Sequence, residues 1–348
     1  MRSTYFRLFL IAALVPLVSC QPQTVDDVVA EPVTPLSEYF GHWSFDIDGT
    51  GVGWLGVRQE DGYIDADLLW RGGSVSPVAN VFYTEDGVLY VTRIANRRRP
   101  AGEGEAPRMH TVTNVLKAKA DGERITGYLL SPRLDGIGID SSFIDGVKLP
   151  EVPPAPDLSA LQFGEPVELF NGKDLTGWRL TNENQVNGFK AIDGVLVNDV
   201  AQEPGAPRIR FGNIRTDQEF EDFNLTLEVN IPAGSNSGVY LRGIYEVQVL
   251  DSYGRDPNSH NMGALYSRIT PSVAAERPAG TWQTMDMTLV DRHLTVVLNG
   301  TTIIDNQPVL GPTGGALHSD VFAPGPIYLQ GDHGVVSFRN FVLTPIIK

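Results

Sequence analysis

Apolar and polar positions alternate in short runs along this 348-residue chain, and no long stretch carries apolar residues at helical spacing. A period of two puts successive side chains on opposite faces of a strand, so the pattern predicts strands separated by turns. In the first half the runs are 43–47, 53–58, 64–70, 80–83, 88–94, 111–118 and 124–130. Asp61-Gly62, Asp86-Gly87 and Asp121-Gly122 fall between pairs of runs. Glycine accepts the positive φ of a tight hairpin, so these are turn signals. The expectation for residues 38–150 is an antiparallel meander of about seven strands, or a small lipocalin-like barrel.

Two stretches interrupt that pattern. Arg97-Arg98-Arg99 and the Pro/Gly/Glu-rich residues after them read as an exposed loop or an anion contact, and residues 132–150, rich in Gly and Asp, read as a second loop. The spacing in the second loop departs from that of a calcium site. Pro153, Pro154 and Pro156 then mark a linker over 151–164, because clustered prolines cannot enter a sheet interior. Asp157 is placed to cap a short helical turn over 158–162.

Beyond the linker, runs are found at 167–170, 189–192, 195–198, 213–216, 223–231, 237–242, 245–250, 263–266, 282–290, 293–298, 301–304, 326–329 and 334–343. So many strands require two sheets or a closed barrel. Asp193-Gly194 and Asn299-Gly300 supply tight hairpins. The fold class is therefore all-β, and the 36 glycines and 24 prolines agree with a turn-rich chain.

The first nineteen residues change the picture. Arg2 and Arg7 precede an apolar stretch from Leu8 to Val18, and Leu17-Val18-Ser19-Cys20 resembles the lipobox of a bacterial lipoprotein signal. The expected organisation is a signal at 1–19, acylation at Cys20 and a flexible acidic tether over 20–37. Cys20 is the sole cysteine, so no internal disulfide can form, and lipidation gives it a use. Gln21 favours, by the same analogy, an anchor in the outer membrane of a cell envelope, facing the periplasm or the surface. The formal charge of −15 argues against nucleic acid as a partner, because phosphate backbones would be repelled.

Candidate chemistry gathers in two places. Within 245–250, Glu246 and Gln248 share one strand face, roughly 6.6 Å apart, while Val247 and Val249 share the other. Tyr240 and Arg242 alternate in the same way, and a tight Gly243-Ile244 connection would set Arg242 beside Glu246 across the ladder. Left to the residues alone, this row is also readable as a solvent-facing sheet side with an Arg–Glu pair. Near the end, Tyr328, Gln330 and Asp332 alternate ahead of His333, with Arg339 on the final strand. Asp251 either caps a strand end or enters the site, and Tyr253 follows it. His318-Ser319-Asp320 lacks a nucleophile elbow, and neither a His-Glu helix motif nor a Cys cluster suggests zinc, so no cofactor or metal is expected.

The run Leu169-Phe170-Asn171-Gly172-Lys173-Asp174-Leu175-Thr176-Gly177-Trp178, the Tyr245-Glu246-Val247-Gln248-Val249-Leu250-Asp251 core and the closing Phe338-Arg339-Asn340-Phe341 resemble the 3-keto-disaccharide hydrolase domain family over about 165–348. The family's usual Leu-Gln-Asp-His-Gly closing pattern is here split by Gly331. The resemblance implies a concanavalin A-like jelly-roll sandwich with the site on its concave sheet, and a small carbohydrate substrate. It implies cleavage of glycosides oxidised to a ketone at carbon 3. On that reading Glu246 is the candidate base, Arg242 the enolate stabiliser, and His333 or Asp332 the proton donor. Tyr240, Gln248, Gln330, Asp251, Tyr253 and Arg339 are candidates for holding the sugar. The same architecture also serves non-catalytic carbohydrate-binding or structural envelope proteins.

Overall fold

Alternation does set the architecture: the described residues are organised almost wholly as antiparallel strands. The computed structural model describes residues 33–347, apart from Pro100, Ala101, Glu103, Glu105, Glu203 and Pro204. The signal segment, Cys20 and residues 21–32 of the tether lie outside the described residues.

The front sheet has nine strands in the spatial order Ser76–Pro77, Tyr63–Leu69, Gly51–Glu60, Gly41–Ile47, Ile139–Leu149, Arg124–Pro132, Arg108–Asp121, Leu89–Arg99 and Asn80–Tyr83. It is a curled meander, and among the described residues no ladder closes it into a barrel. The reason lies in the segment that carries both edges. Ser76–Pro77 pairs with one end of the sheet, then Val78 N still donates to Ala66 O while Ala79 N already donates to Thr92 O. Its interior is filled by side chains such as Trp43, Phe45, Leu55, Leu68, Leu89, Leu116 and Leu129.

Two expectations need correcting here. Residues 139–149 form a strand that pairs on both sides, with Gly41–Ile47 and Arg124–Pro132, so the Gly/Asp-rich loop is confined to the turn before it. Polar Asp140, Ser141 and Ser142 on an exposed stretch hide its period. Arg97–Arg99 likewise belong to Leu89–Arg99, whose hairpin with Arg108–Asp121 continues through the register Arg99↔Arg108.

The second half is a sandwich of the jelly-roll kind. Its outer sheet runs Phe189–Ile192, Val195–Asn198, Val336–Ile347, Phe223–Asn230, Trp282–Val290, His293–Leu298, Thr301–Pro308. Two short strands, Gln162–Phe163 and Val167–Glu168, add to Val336–Ile347. The facing sheet runs Trp178–Leu180, Ile214–Thr216, Tyr328–Leu329, Asn236–Leu241, Tyr245–Leu250. Leu225, Val229, Met287, Phe338 and Leu343 from one sheet meet Ile214, Val239, Val247, Val249 and Leu329 from the other in one apolar core. Gly263–Tyr266 is not a strand: it wraps the sheet edge, touching Val247 through a single bridge at Leu265.

The opening motif of this half is structural. Asn171 Oδ1 accepts the Lys173 and Asp174 amides and so forms the turn, while buried Trp178 donates from Nε1 to Leu169 O at 2.6 Å and packs edge-on to Phe341. Asp157 caps the turn Leu158–Ala160 by accepting from Ser159 N. The front sheet and the sandwich share packing. Val52, Trp54, Leu69 and Leu149 join the sandwich core, Trp54 Nε1 donates to Leu310 O at 2.9 Å, and the Arg268 guanidinium stacks 4.3 Å from the Trp54 ring.

Candidate active site

Residues directly opposed in an antiparallel ladder point to the same face. The registers Arg215↔Tyr328, Tyr328↔Tyr240 and Tyr240↔Glu246 therefore lay one polar row across the five-stranded sheet. A second row runs beside it, where Gly238 faces Gln248 and its carbonyl accepts from Gln330 N at 3.0 Å. The opposite face carries Ile214, Leu329, Val239 and Val247, all in the core.

This row is not solvent-facing. Tyr240, Glu246 and Gln248 are only 1%, 4% and 2% exposed, which excludes the surface ion-pair reading. Loops cover it. Gly314 O accepts from the Tyr240 hydroxyl at 2.8 Å, Thr313 Oγ1 accepts from Glu246 N at 2.9 Å, and Tyr266 N donates to Glu246 O at 2.9 Å. The front sheet supplies the outer brace: Ser74 Oγ lies 2.8 Å from His260 Nε2, and Gly73 packs its backbone onto Gly314.

Burial dominates the electrostatics. The Glu246 carboxyl is pushed up to about 8 by desolvation, against the pull of the Tyr240 hydroxyl and the His333 charge, with Asp332 pushing further up. Burial also raises Tyr240 and Tyr328, whose rings stack at 4.1 Å, so both remain protonated donors. His333 is raised chiefly by its hydrogen bond to Asp332, with Nδ1 and Oδ1 2.6 Å apart. Gln330 Oε1 is buried without a partner, an acceptor left free on the floor.

The bend that carries Asp332 and His333 is clamped from below. Asn198 donates its side-chain amide to Gly331 O at 3.1 Å and Gly334 O at 2.9 Å, while Asn213 Oδ1 accepts from Gly331 N at 2.7 Å. Gly331 fits against the Gly212 carbonyl and the Phe189 ring, where a Cβ would meet atoms at 2.4 and 2.5 Å. The extra glycine is thus absorbed beneath the bend. A cavity of about 620 Å³ opens beside it, lined by Asp332, His333, Arg208 and Arg210.

This geometry moves Arg242, Arg339 and Tyr253 away from the row and decides the alternative left open for Asp251. Arg242 does not stand beside Glu246: the register gives that place to Tyr240, and Arg242 sits in the turn at φ +53 with its guanidinium on Ala323 O. Arg339 lies on the outer sheet, bound to Glu228 at 2.6 Å and stacked 4.0 Å from the Trp282 ring. Asp251 takes the capping option, its Oδ2 accepting from Gly234 N at 2.8 Å, and Tyr253 is exposed beyond the strand end. Tyr240, Glu246 and Gln248 share one face of the sheet with Gln330 adjoining it at Gly238, and Asp332 and His333, which line the cavity, are near enough to shift the Glu246 carboxyl.

The model of the 3-keto-alpha-glucoside-1,2-lyase-like domain matches residues 165–344, more than half of the chain and nearly the whole sandwich. The chain belongs to that family. Similar solved structures include two candidate glycosyl hydrolases from Parabacteroides distasonis. One is 28% identical with a TM-score of 0.42, covering 55% of this chain and 92% of its own. The other is 21% identical with a TM-score of 0.44, covering 51% and 92%. A carbohydrate-binding module from Bacillus subtilis is 13% identical with a TM-score of 0.30, covering 47% and 93%. The comparison with curated proteins gives no match.

Within this 3-keto-alpha-glucoside-1,2-lyase-like domain, several contributors escape a reading of the sequence. Asn198, Asn213 and Thr313 act through loops and neighbouring strands, and Arg208 and Arg210 lie on a connection without a period. Only the polar character of Asn198 on a core-facing strand position signals its use. Among the described residues no cluster of three His, Cys, Asp or Glu side chains is arranged to hold a metal ion.

Proposed function

We propose that the sandwich cleaves glycosides whose sugar is already oxidised to a ketone at carbon 3, by elimination across carbons 1 and 2 followed by addition of water. Family membership supports a glycoside-acting enzyme, and the observation that carries the finer reading is Glu246. A carboxyl raised to about 8 is a base matched to a carbon acid, because proton transfer is most effective when the catalytic group titrates near working pH.

The ketone acidifies the proton on carbon 2. Glu246 in its carboxylate form takes that proton, the electrons pass through the enolate, and the bond from carbon 1 to the aglycone oxygen breaks. The His333 imidazolium, held by Asp332, gives its proton to the departing oxygen. The charge on the enolate needs hydrogen-bond donors already in place. Tyr240 faces Glu246 directly but gives its hydroxyl proton to Gly314 O, so the next polar groups of the floor, Tyr328 and the Gln248 and Gln330 amides, are the candidate donors, and the free Gln330 Oε1 accepts a sugar hydroxyl. Arg242, held at Ala323, has no part in this scheme.

Acylation of Cys20, with anchoring in the envelope at the outer membrane, belongs to the same proposal. Its support is the lipobox-like run, and its test is incorporation of labelled palmitate into the native chain but not into Cys20→Ala. For the reaction, incubation with 3-keto-trehalose should release 3-keto-glucose, whereas unoxidised trehalose should remain intact. Binding of the keto-sugar without release would instead identify a non-catalytic sugar-binding module.

A further inference from the structure

The cavity beside His333 carries two guanidinium groups that the cleavage scheme does not use. Arg208 and Arg210, on either side of Ile209, both line the cavity. Their segment is tied down. Gln202 donates from Nε2 to Ile209 O at 3.2 Å and accepts from Ile209 N at 2.9 Å, and Val186 N donates to Arg210 O at 3.0 Å.

Elsewhere in the sandwich Arg179, Arg215 and Arg339 bond Asp217, Glu219 and Glu228, each at 2.6 Å, whereas Arg242, Arg268 and Arg292 bond backbone carbonyls. Among the described residues neither Arg208 nor Arg210 has an ion pair. The one carboxylate in the lining, Asp332, is already engaged by His333 at 2.6 Å. Among the described residues of its lining this cavity thus sets two guanidinium groups against the single carboxylate of Asp332, in a chain of net charge −15. Concave walls of one sign focus the field on a ligand more than a flat surface does.

We propose that this cavity is the aglycone subsite and that Arg208 and Arg210 select aglycones bearing an anionic group, a carboxylate or a phosphonate-like ester. The inference rests on the proposed cleavage of 3-keto-glycosides, because it names the group that leaves. Guanidinium forks match both carboxylate and phosphate oxygens. With both arginines open to solvent, the expected preference is modest, about five- to tenfold.

Binding and turnover are measured separately. Calorimetry on the full chain uses three unoxidised phenyl glucosides, carrying 4-carboxymethyl, 4-phosphonomethyl or neutral 4-carbamoylmethyl groups. An acid should bind about five- to tenfold tighter than the amide, less so in high salt, and the tighter of the two acids identifies the anion. The preference should vanish in the Arg208→Ala/Arg210→Ala variant and persist in part with lysine at both positions. Equal binding of acid and amide, or a preference that survives the double alanine variant, overturns the proposal. Release from the 3-keto forms of the same compounds tests the reaction: acid preference without release defeats the cleavage reading alone, and release without acid preference defeats the subsite alone.

Discussion

Glu246 Oε1 occupies the space above Gly238, only 2.3 Å from where a Cβ at that position would stand. A Cβ there would also stand 3.0 Å from both Glu246 Cδ and Cγ, so the whole carboxyl group, not one oxygen, fills the space that glycine leaves. Gly238→Ala should therefore displace the Glu246 side chain. The expected result is a loss of about 1–3 kcal/mol in stability and at least a tenfold fall in turnover. Combining it with Glu246→Ala should relieve the clash, so the two stability losses should fall short of additive. Simple additivity in a denaturant titration would show that the two side chains do not compete for one space.

The raised Glu246 carboxyl makes stability depend on pH in a definite direction. An unfolded glutamate ionises near 4.5, whereas the folded group keeps its proton until about 8. Between those values the folded state binds more protons, so this group's contribution to stability is complete below 4.5 and is lost as pH rises toward 8. The amount is on the order of a few kcal/mol. Glu246→Gln removes the ionisable group and should flatten the slope. The variant should gain on the native chain steadily between pH 5 and 8 in thermal melts, and a constant difference across that range would refute the buried carboxyl. Turnover by Glu246→Gln should drop at least a hundredfold, since the amide cannot accept the carbon-bound proton.

How far the sequence exposes this site follows from which interactions have a period. The two-residue alternation at 245–250 correctly separates Val247 and Val249 from Glu246 and Gln248. It cannot tell which residue faces Glu246 across the ladder. A hairpin turn consuming Arg242, Gly243 and Ile244, the first two at positive φ, sets the register so that Tyr240 is the partner. Nor does alternation distinguish a wet face from one covered by loops, because the cover comes from 260–268, 311–316 and a front-sheet turn near Ser74, all distant in sequence. The strand at 139–149 is hidden for a related reason: its first residues are polar and exposed, and pairing on both sides, not side-chain pattern, makes it a strand.

Asp332 sets the protonation of His333. The hydrogen bond between them raises the imidazole above its ordinary 6.5, which keeps it charged, and thus able to donate a proton, closer to neutral pH. Asp332→Asn should lower the inflection belonging to His333 and reduce the peak of kcat/KM against pH. Because His333 and Glu246 feel one another, the two limbs of that profile report the pair rather than single residues. A profile with neither limb moved in Asp332→Asn would remove His333 from the proton path.

The front sheet has a job in this geometry that can be isolated at one atom. A Cβ at Gly314 would stand 2.1 Å from Gly73 O and 2.6 Å from Gly73 N, both rigid backbone. Gly314 O is also the acceptor of the Tyr240 hydroxyl, and Tyr240 faces Glu246. Gly314→Ala should therefore push the 311–316 loop off the front sheet and pull the acceptor from Tyr240. The expected cost is about 1–3 kcal/mol, read as a fall in Tm of a few degrees. Turnover should fall further than that loss of folded protein explains, because the cover over Glu246 loosens and water enters. If Gly314→Ala melts and turns over like the native chain, the front sheet does not brace the site through this contact.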